Sequence, residues 1–143
     1  MSQVAKSMSV AEAWDVLMPA VSAVEARLGK ALRRYGLGQS EFRALRILAA
    51  AEGSEVRLLD LADDLGLDRS SVSRLVTRLE DAELVRRESC GDDRRGVYTV
   101  LTDEGRGLYH TVHDVYLRTL IEALRAVDLP EGVFASLTAS PQH

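Results

Sequence analysis

Residues 58–105, LLDLADDLGLDRSSVSRLVTRLEDAELVRRESCGDDRRGVYTVLTDEG, decide the reading of this chain. Leu61, Ala62 and Leu65 make a short amphipathic helix that Gly66 stops, and Asp68 stands where it can cap a second helix beginning at Arg69. On that second helix Val72, Leu75, Val76 and Leu79 occupy positions i, i+3, i+4 and i+7, a single apolar stripe. Ser70, Ser73, Arg74 and Thr77 fall on the opposite face. After Leu84 and Val85 the apolar period changes to two, with Arg86, Arg87 and Glu88 leading into Cys90 to Gly96 and then an extended Val97 to Leu101. This pattern predicts a two-stranded hairpin with a charged tip. The whole segment reads as helix, tight turn, helix, hairpin.

Working outward, Ser9 and Glu12 have the spacing of a capping box at the start of an apolar helix. Along it Trp14, Val21, Leu28 and Tyr35 fall seven apart, with Leu17, Val24 and Ala31 between them, a short heptad-like seam. Pro19 lies inside this helix and predicts a kink or a break. Gly36 and Gly38 end it; Phe42, Leu45 and Leu48 mark a second helix that Gly53 closes. Downstream, Thr102, Asp103 and Glu104 open a long helix through Val127. Its apolar positions Leu108, Val112, Val115, Leu117, Leu120, Ile121 and Leu124 cover most of its circumference, so it must be covered on more than one side. A last short helix is expected from Leu129, Pro130 and Glu131.

With 143 residues, 46% of them hydrophobic and 28% charged, the chain has one compact domain's worth of core, which excludes a disordered tail or a collagenous fibre. The formal net charge of -4 provides no global field that would draw the molecule to polyanions, so any nucleic-acid binding must come from a local patch. Lys6 and Lys30 are the only lysines among the 18 basic residues. That bias toward arginine fits either codon usage or bidentate contacts to phosphate and guanine. No run approaches the roughly 18 apolar residues of a membrane helix, and Met1 to Val10 lacks a basic then apolar leader. The single cysteine, Cys90, cannot form an internal disulfide, which fits a reducing cytosol. The expectation is a soluble, cytoplasmic protein without a membrane partner.

The quoted segment resembles the winged helix-turn-helix of the multiple antibiotic resistance regulator (MarR) family of bacterial transcription factors. The resemblance rests on Leu61, Ala62, Leu65 and Gly66 in the first helix of the motif, and on Ser71, Val72, Ser73, Arg74, Leu75, Val76, Arg78, Leu79 and Glu80 in the second. It continues through Asp93, Arg95, Gly96 and Val97 to Leu101, Thr102 and Gly105, and Phe42, Leu45 and Leu48 are similar to the preceding helix. It implies a mostly α fold with a small β hairpin. In that plan residues 1–36 form an N-terminal dimerisation helix, 37–101 a winged helix-turn-helix DNA-binding region and 102–143 C-terminal dimerisation helices, in one integrated domain. The implied function is that of a homodimeric, ligand-responsive repressor that binds a pseudo-palindromic operator in double-stranded DNA through recognition helix 69–80 and wing 86–100. The seam on the first helix and the all-round apolar long helix independently call for a partner surface. Three positions depart from the family: Glu83 replaces the usual glycine after the recognition helix, Gly38 replaces a Thr cap, and the tail after Leu129 is short.

Arg69 to Leu79 would make a rod about 16 Å long at about 1.5 Å per residue, suited to a major groove about 12 Å wide. It holds three arginines and no acid. Under the resemblance Arg69, Ser70, Ser73 and Arg74 are assigned to base edges, because residues early on a recognition helix sit deepest, and Ser71, Thr77 and Arg78 to phosphates or the groove's rim. At the hairpin tip Arg95 is assigned to the minor groove, with Arg94 on the backbone beside it and Asp93 orienting Arg95 by a salt bridge. Arg86 and Arg87 read as phosphate contacts or as solvated charges. The family's effectors, small aromatic acids held between dimerisation and DNA-binding regions, make Trp14, Tyr35, Tyr109 and Tyr116 candidate pocket residues, although aromatics at helical spacing are also ordinary core.

No acid, base and nucleophile set, glycine-rich phosphate loop, cysteine pair or serine elbow marks an enzyme, and no cofactor is implied. His110 and His113, three apart with Asp114 adjacent, have zinc-ligand spacing on one helical face, but two histidines and one carboxylate do not specify a site. Cys90 lies between Arg86, Arg87 and Arg94, Arg95, which would lower its thiol pKa; a plain loop residue is the reading preferred over an oxidant sensor. The alternative function is a dimeric interaction protein of the same fold that has lost operator binding, favoured by the net acidity and by Glu83.

Overall fold

The structure, a computed structural model, describes residues 8–89 and 96–138. Its elements in chain order are α1 (Val10–Arg33), α2 (Gln39–Ala50), a 3-10 turn (Glu52–Ser54), β1 (Glu55–Arg57), α3 (Leu58–Leu65), α4 (Arg69–Asp81), β2 (Val85–Ser89), β3 (Val97–Leu101), α5 (Asp103–Ala126) and α6 (Val133–Thr138). They form two compact units, one of Gly29–Leu117 and the other of the described parts of Met1–Leu28 and Arg118–His143.

The capping box closes as its spacing predicts: the Glu12 backbone N–H donates to Ser9 Oγ at 3.1 Å and the Ser9 N–H to Glu12 Oε2 at 3.3 Å. Pro19 does not break α1, which runs through it. Three helices end in the same way. At Gly36, Gly66 and Glu83 the backbone turns left-handed, with φ of 73°, 67° and 63°. In each case the next residue's N–H reaches five residues back, Leu37 to Leu32, Leu67 to Ala62 and Leu84 to Leu79, at 3.2, 2.9 and 2.9 Å. The last helical carbonyls are thereby satisfied, and Leu37 and Leu84 are tucked into the core.

The Gly29–Leu117 unit has one apolar core in which Phe42, Leu45, Leu48, Leu61, Leu75, Leu79 and Val112 are all almost fully buried. The sheet contains more than the expected hairpin. β1 adds a third antiparallel strand, in the order β1-β3-β2. Val56 and Arg87 flank Thr99 across the two ladders. The other unit is thinly buried: Ala13, Val24, Leu28, Ala123 and Val133 are its inner side chains. Arg27 and Glu122 pair across it at 3.8 Å. Within one chain the long helix is not covered all round, since Leu117, Ile121 and Leu124 of α5 are exposed. Among the described residues, no helix is long and apolar enough to cross a membrane.

Candidate nucleic-acid interface

Helix α4 is built to present one face. Its stripe Val72, Leu75, Val76 and Leu79 is buried, which directs the remaining side chains outward. Asp68 starts the helix by accepting from the Ser71 backbone N–H at 2.7 Å and the Ser70 hydroxyl at 2.9 Å, both on Oδ1. The hydrogen bond from the Ser71 backbone holds the Asp68 carboxyl below its ordinary pKa, helped by the hydroxyls of Ser71 and Ser70 and by the Arg74 charge. The cap is therefore anionic at neutral pH and complements the helix dipole.

Ser70, Ser73, Arg74, Thr77 and Arg78, all singled out from the sequence, line one shallow depression along the exposed side of α4. Arg74 Nη2 donates to Ser71 Oγ at 3.4 Å, which draws the guanidinium along the helix. Arg78 bonds Glu41 of α2 at 3.3 Å while 58% of its side chain stays exposed. Arg69 instead borders an apolar hollow shared with Leu58, Leu59, Val72 and Val97. The expected tip residues Asp93, Arg94 and Arg95, and Cys90, lie outside the described residues.

Arg87 corrects the sequence reading. Its guanidinium does not stand free: it folds back from β2 onto α4, and the side chain is 26% exposed. Nη1 pairs with Glu80 and donates to Thr77 Oγ1 at 3.2 Å; Nη2 donates to the Ser73 carbonyl at 2.8 Å and to Ser73 Oγ at 3.2 Å. The Arg87 backbone N–H completes the clamp on Glu80 Oε2 at 3.1 Å. The signal was available in the period of two, because Arg87 shares its strand face with buried Val85. Arg86, on the other face, is 55% exposed and pairs with Glu88 at 2.7 Å.

A second feature the sequence reading missed is the junction below α4. Thr102 caps α5, its Oγ1 accepting from the Gly105 N–H at 3.0 Å and donating to the Glu83 carbonyl at 2.7 Å. The Thr102 N–H reaches the Leu84 carbonyl at 3.1 Å. One side chain thus ties the end of α4 to the start of α5.

Of the proposed pocket residues, Tyr109 and Tyr116 pack on Phe42 with ring centroids 5.8 and 4.5 Å away, and Tyr35 lies against the same core. These are core contacts. Trp14, in the other unit, is 53% exposed. His113 Nδ1 lies 3.4 Å from the Tyr109 hydroxyl, and among the described residues no group of three or more His, Cys, Asp or Glu could hold a metal ion.

The profile of the MarR family matches residues 35–96. The transcriptional regulator FarR of Neisseria gonorrhoeae is 33% identical over 96 residues, which are 67% of this chain and 64% of FarR. AbsC, a MarR family transcriptional regulator from Streptomyces coelicolor, superposes with a TM-score of 0.78 at 29% identity over 92% of this chain and 90% of its own. The chain belongs to the MarR family. Sco3205, a MarR family transcriptional regulator from the same organism whose structure was solved in complex with DNA, matches with a TM-score of 0.78 at 27% identity, over 94% of this chain and 86% of its own. The fold is accordingly the winged helix-turn-helix of MarR regulators. These relatives are transcriptional regulators and not enzymes. The matched stretch spans slightly less than two thirds of FarR's length.

Proposed function

We propose that this MarR-family chain is a homodimeric, sequence-specific DNA-binding regulator that represses by occupying a pseudo-palindromic operator. The observation that carries the proposal is α4 itself. Its apolar stripe is fully engaged in the core, so the row Ser70, Ser73, Arg74, Thr77 and Arg78 is left facing water with no acid between Arg69 and Leu79. A rod of that kind fits the major groove, and the dipole at its start favours phosphate. Sco3205 in complex with DNA supports the same use of the fold. In this reading Arg69, Ser70, Ser73 and Arg74 read bases, Ser71, Thr77 and Arg78 hold the rim or phosphates, and Arg94, Arg95 and Asp93 serve the wing.

A second copy is supported by the unit containing the chain's ends. Trp14, Ile121, Leu124 and Phe134 are 53, 46, 55 and 62% exposed there, an apolar complement that in water calls for a covering surface. Leu124→Glu should convert a dimer to a monomer in analytical ultracentrifugation; an unchanged dimer would place the interface elsewhere. Response to a small-molecule effector belongs to this reading on the strength of the family, and its test is release of the operator by small aromatic acids.

Fluorescence anisotropy with the upstream intergenic DNA tests the proposal. Binding should fall steeply with salt, by counterion release. Arg74→Ala should relax preference at one base position by about 1–3 kcal/mol, whereas Arg78→Ala should weaken all sequences alike. Absent or salt-independent binding by a folded dimer would favour the interaction protein instead.

A further inference from the structure

Arg87 does more than brace the wing. Resting on the operator-binding reading, we infer that Arg87 is a specificity-positioning residue: by donating to one lone pair of the Ser73 hydroxyl, it orients that group and strengthens its proton as the donor offered to the DNA.

A serine or threonine hydroxyl has one proton to donate and two lone pairs to accept with. Free in a groove it rotates to either role, so it discriminates little between bases. Here the roles are biased in advance. Arg87 Nη2 donates to Ser73 Oγ at 3.2 Å, and Arg87 Nη1 donates to Thr77 Oγ1 at 3.2 Å. Thr77 Oγ1 in turn donates its proton to the Ser73 carbonyl at 3.0 Å, so it has no donor left for a partner. The Ser73 proton has no such acceptor among the hydrogen bonds of the described residues, and Ser73 lines the exposed depression on α4. Bases facing that proton are selected as acceptors: guanine O6 or N7, adenine N7, or thymine O4. An exocyclic amine on cytosine or adenine, itself a donor, finds only the one remaining Ser73 lone pair and is disfavoured.

The clamp has a second consequence. Glu80 is the acid at the foot of this row, and Arg87 pairs with it through both a side-chain nitrogen and its backbone N–H. Loss of Arg87 alone would expose a carboxylate beside the DNA as well as freeing the hydroxyls. The two effects separate because a stray charge weakens every sequence equally, whereas a freed hydroxyl erases a preference.

The test begins by selecting the preferred operator from random DNA with the wild-type dimer. Binding to that operator, and to versions substituted at each base pair, is then compared for wild type, Ser73→Ala, Arg87→Ala/Glu80→Gln, and the triple variant. Glu80→Gln removes the carboxylate that Arg87→Ala would uncover. The double variant should lose about fivefold of preference, the factor one hydrogen bond carries, at the same base pair where Ser73→Ala loses it. The triple variant should lose no more than Ser73→Ala alone, a coupling that simple support of the wing does not produce. Arg87→Lys keeps a charge on Glu80 but cannot reach Ser73 and Thr77 together; it carries the same expectation should the double variant fail to fold. Retained preference at every base, or a uniform loss across all sequences, would overturn the inference while leaving operator binding standing. A wild-type protein that selects no sequence would overturn the operator-binding reading itself.

Discussion

Two glycines on α5, two residues apart, should respond oppositely to the same substitution. A Cβ added at Gly105 would lie 2.1 Å from the Leu84 carbonyl oxygen, 2.7 Å from Leu101 Cδ1 and 3.0 Å from the Leu84 carbonyl carbon. Relief requires the first turn of α5 to back away from Leu84 by more than about 1 Å, since attractive contact begins at roughly 3.5 Å. That displacement stretches the bonds from Thr102 to Leu84 and Glu83, now 3.1 and 2.7 Å long. Overpacking of this kind costs about 1–3 kcal/mol and each lost hydrogen bond about 1 kcal/mol, while the gain in helix propensity returns about 1 kcal/mol. Gly105→Ala should therefore destabilise by about 3 kcal/mol. Nothing lies within 4 Å of a Cβ at Gly107, so Gly107→Ala keeps only the propensity term and should stabilise by about 0.5–1 kcal/mol. Urea unfolding followed by far-UV circular dichroism measures both. Equal tolerance of the two substitutions would refute the close approach of α5 to Leu84, and with it the junction that ties α4 to that element.

Glu83→Gly should stabilise by about 0.5–1 kcal/mol, because the residue holds φ at 63°, and Glu83→Ala, which relieves no backbone strain, should not; thermal unfolding of the pair distinguishes strain from charge. Thr99→Val should gain about 1 kcal/mol in urea unfolding, since the Thr99 hydroxyl is fully buried and has no hydrogen-bond partner among the described residues, and a loss would point to a bond that the hydroxyl does make. The lowered carboxyl pKa of Asp68 fixes the sign of an acid effect: the cap contributes fully above the ordinary carboxylate value near 3.8 and is lost as pH falls through the lower folded value. The destabilisation caused by Asp68→Ala should be present at pH 7 and shrink as pH drops below that range, while a gap that widens in acid would contradict it.

What the sequence revealed and what it hid follow from the range of the interactions. The capping box of Ser9 and Glu12, the Asp68 cap and the stripe from Val72 to Leu79 are set by partners at most seven residues away, and periodicity reads them directly. Strand β1 escaped because Glu55–Arg57 is three residues long and only Val56 is half-buried; it exists because β3 offers a ladder more than forty residues later. Gly105 stood out by resemblance alone, and its reason, the carbonyl of Leu84, is a contact between elements. The periodicity marks Leu117, Ile121 and Leu124 as apolar, but not what covers them, and within one chain they stay exposed.

The same distinction explains how an acidic chain can carry a site for a polyanion. Counted over all residues the charge is -4, yet the stretch of α4 from Arg69 to Leu79 holds no acid. Asp68 sits at the N-terminus, where its charge is met by the Ser71 backbone N–H and the Ser70 hydroxyl. Glu80 is answered by Arg87, and Glu41 by Arg78. Arg69 and Arg74, by contrast, are exposed, and Arg74 donates its hydrogen bond to a neutral serine hydroxyl. The field that a phosphate meets is fixed by which charges are already compensated within a Debye length of about 8–10 Å, more than by the total. Neutralising Glu80 and Arg87 together should thus leave the overall affinity for DNA nearly unchanged while altering what is read, whereas removing Arg74 alters both.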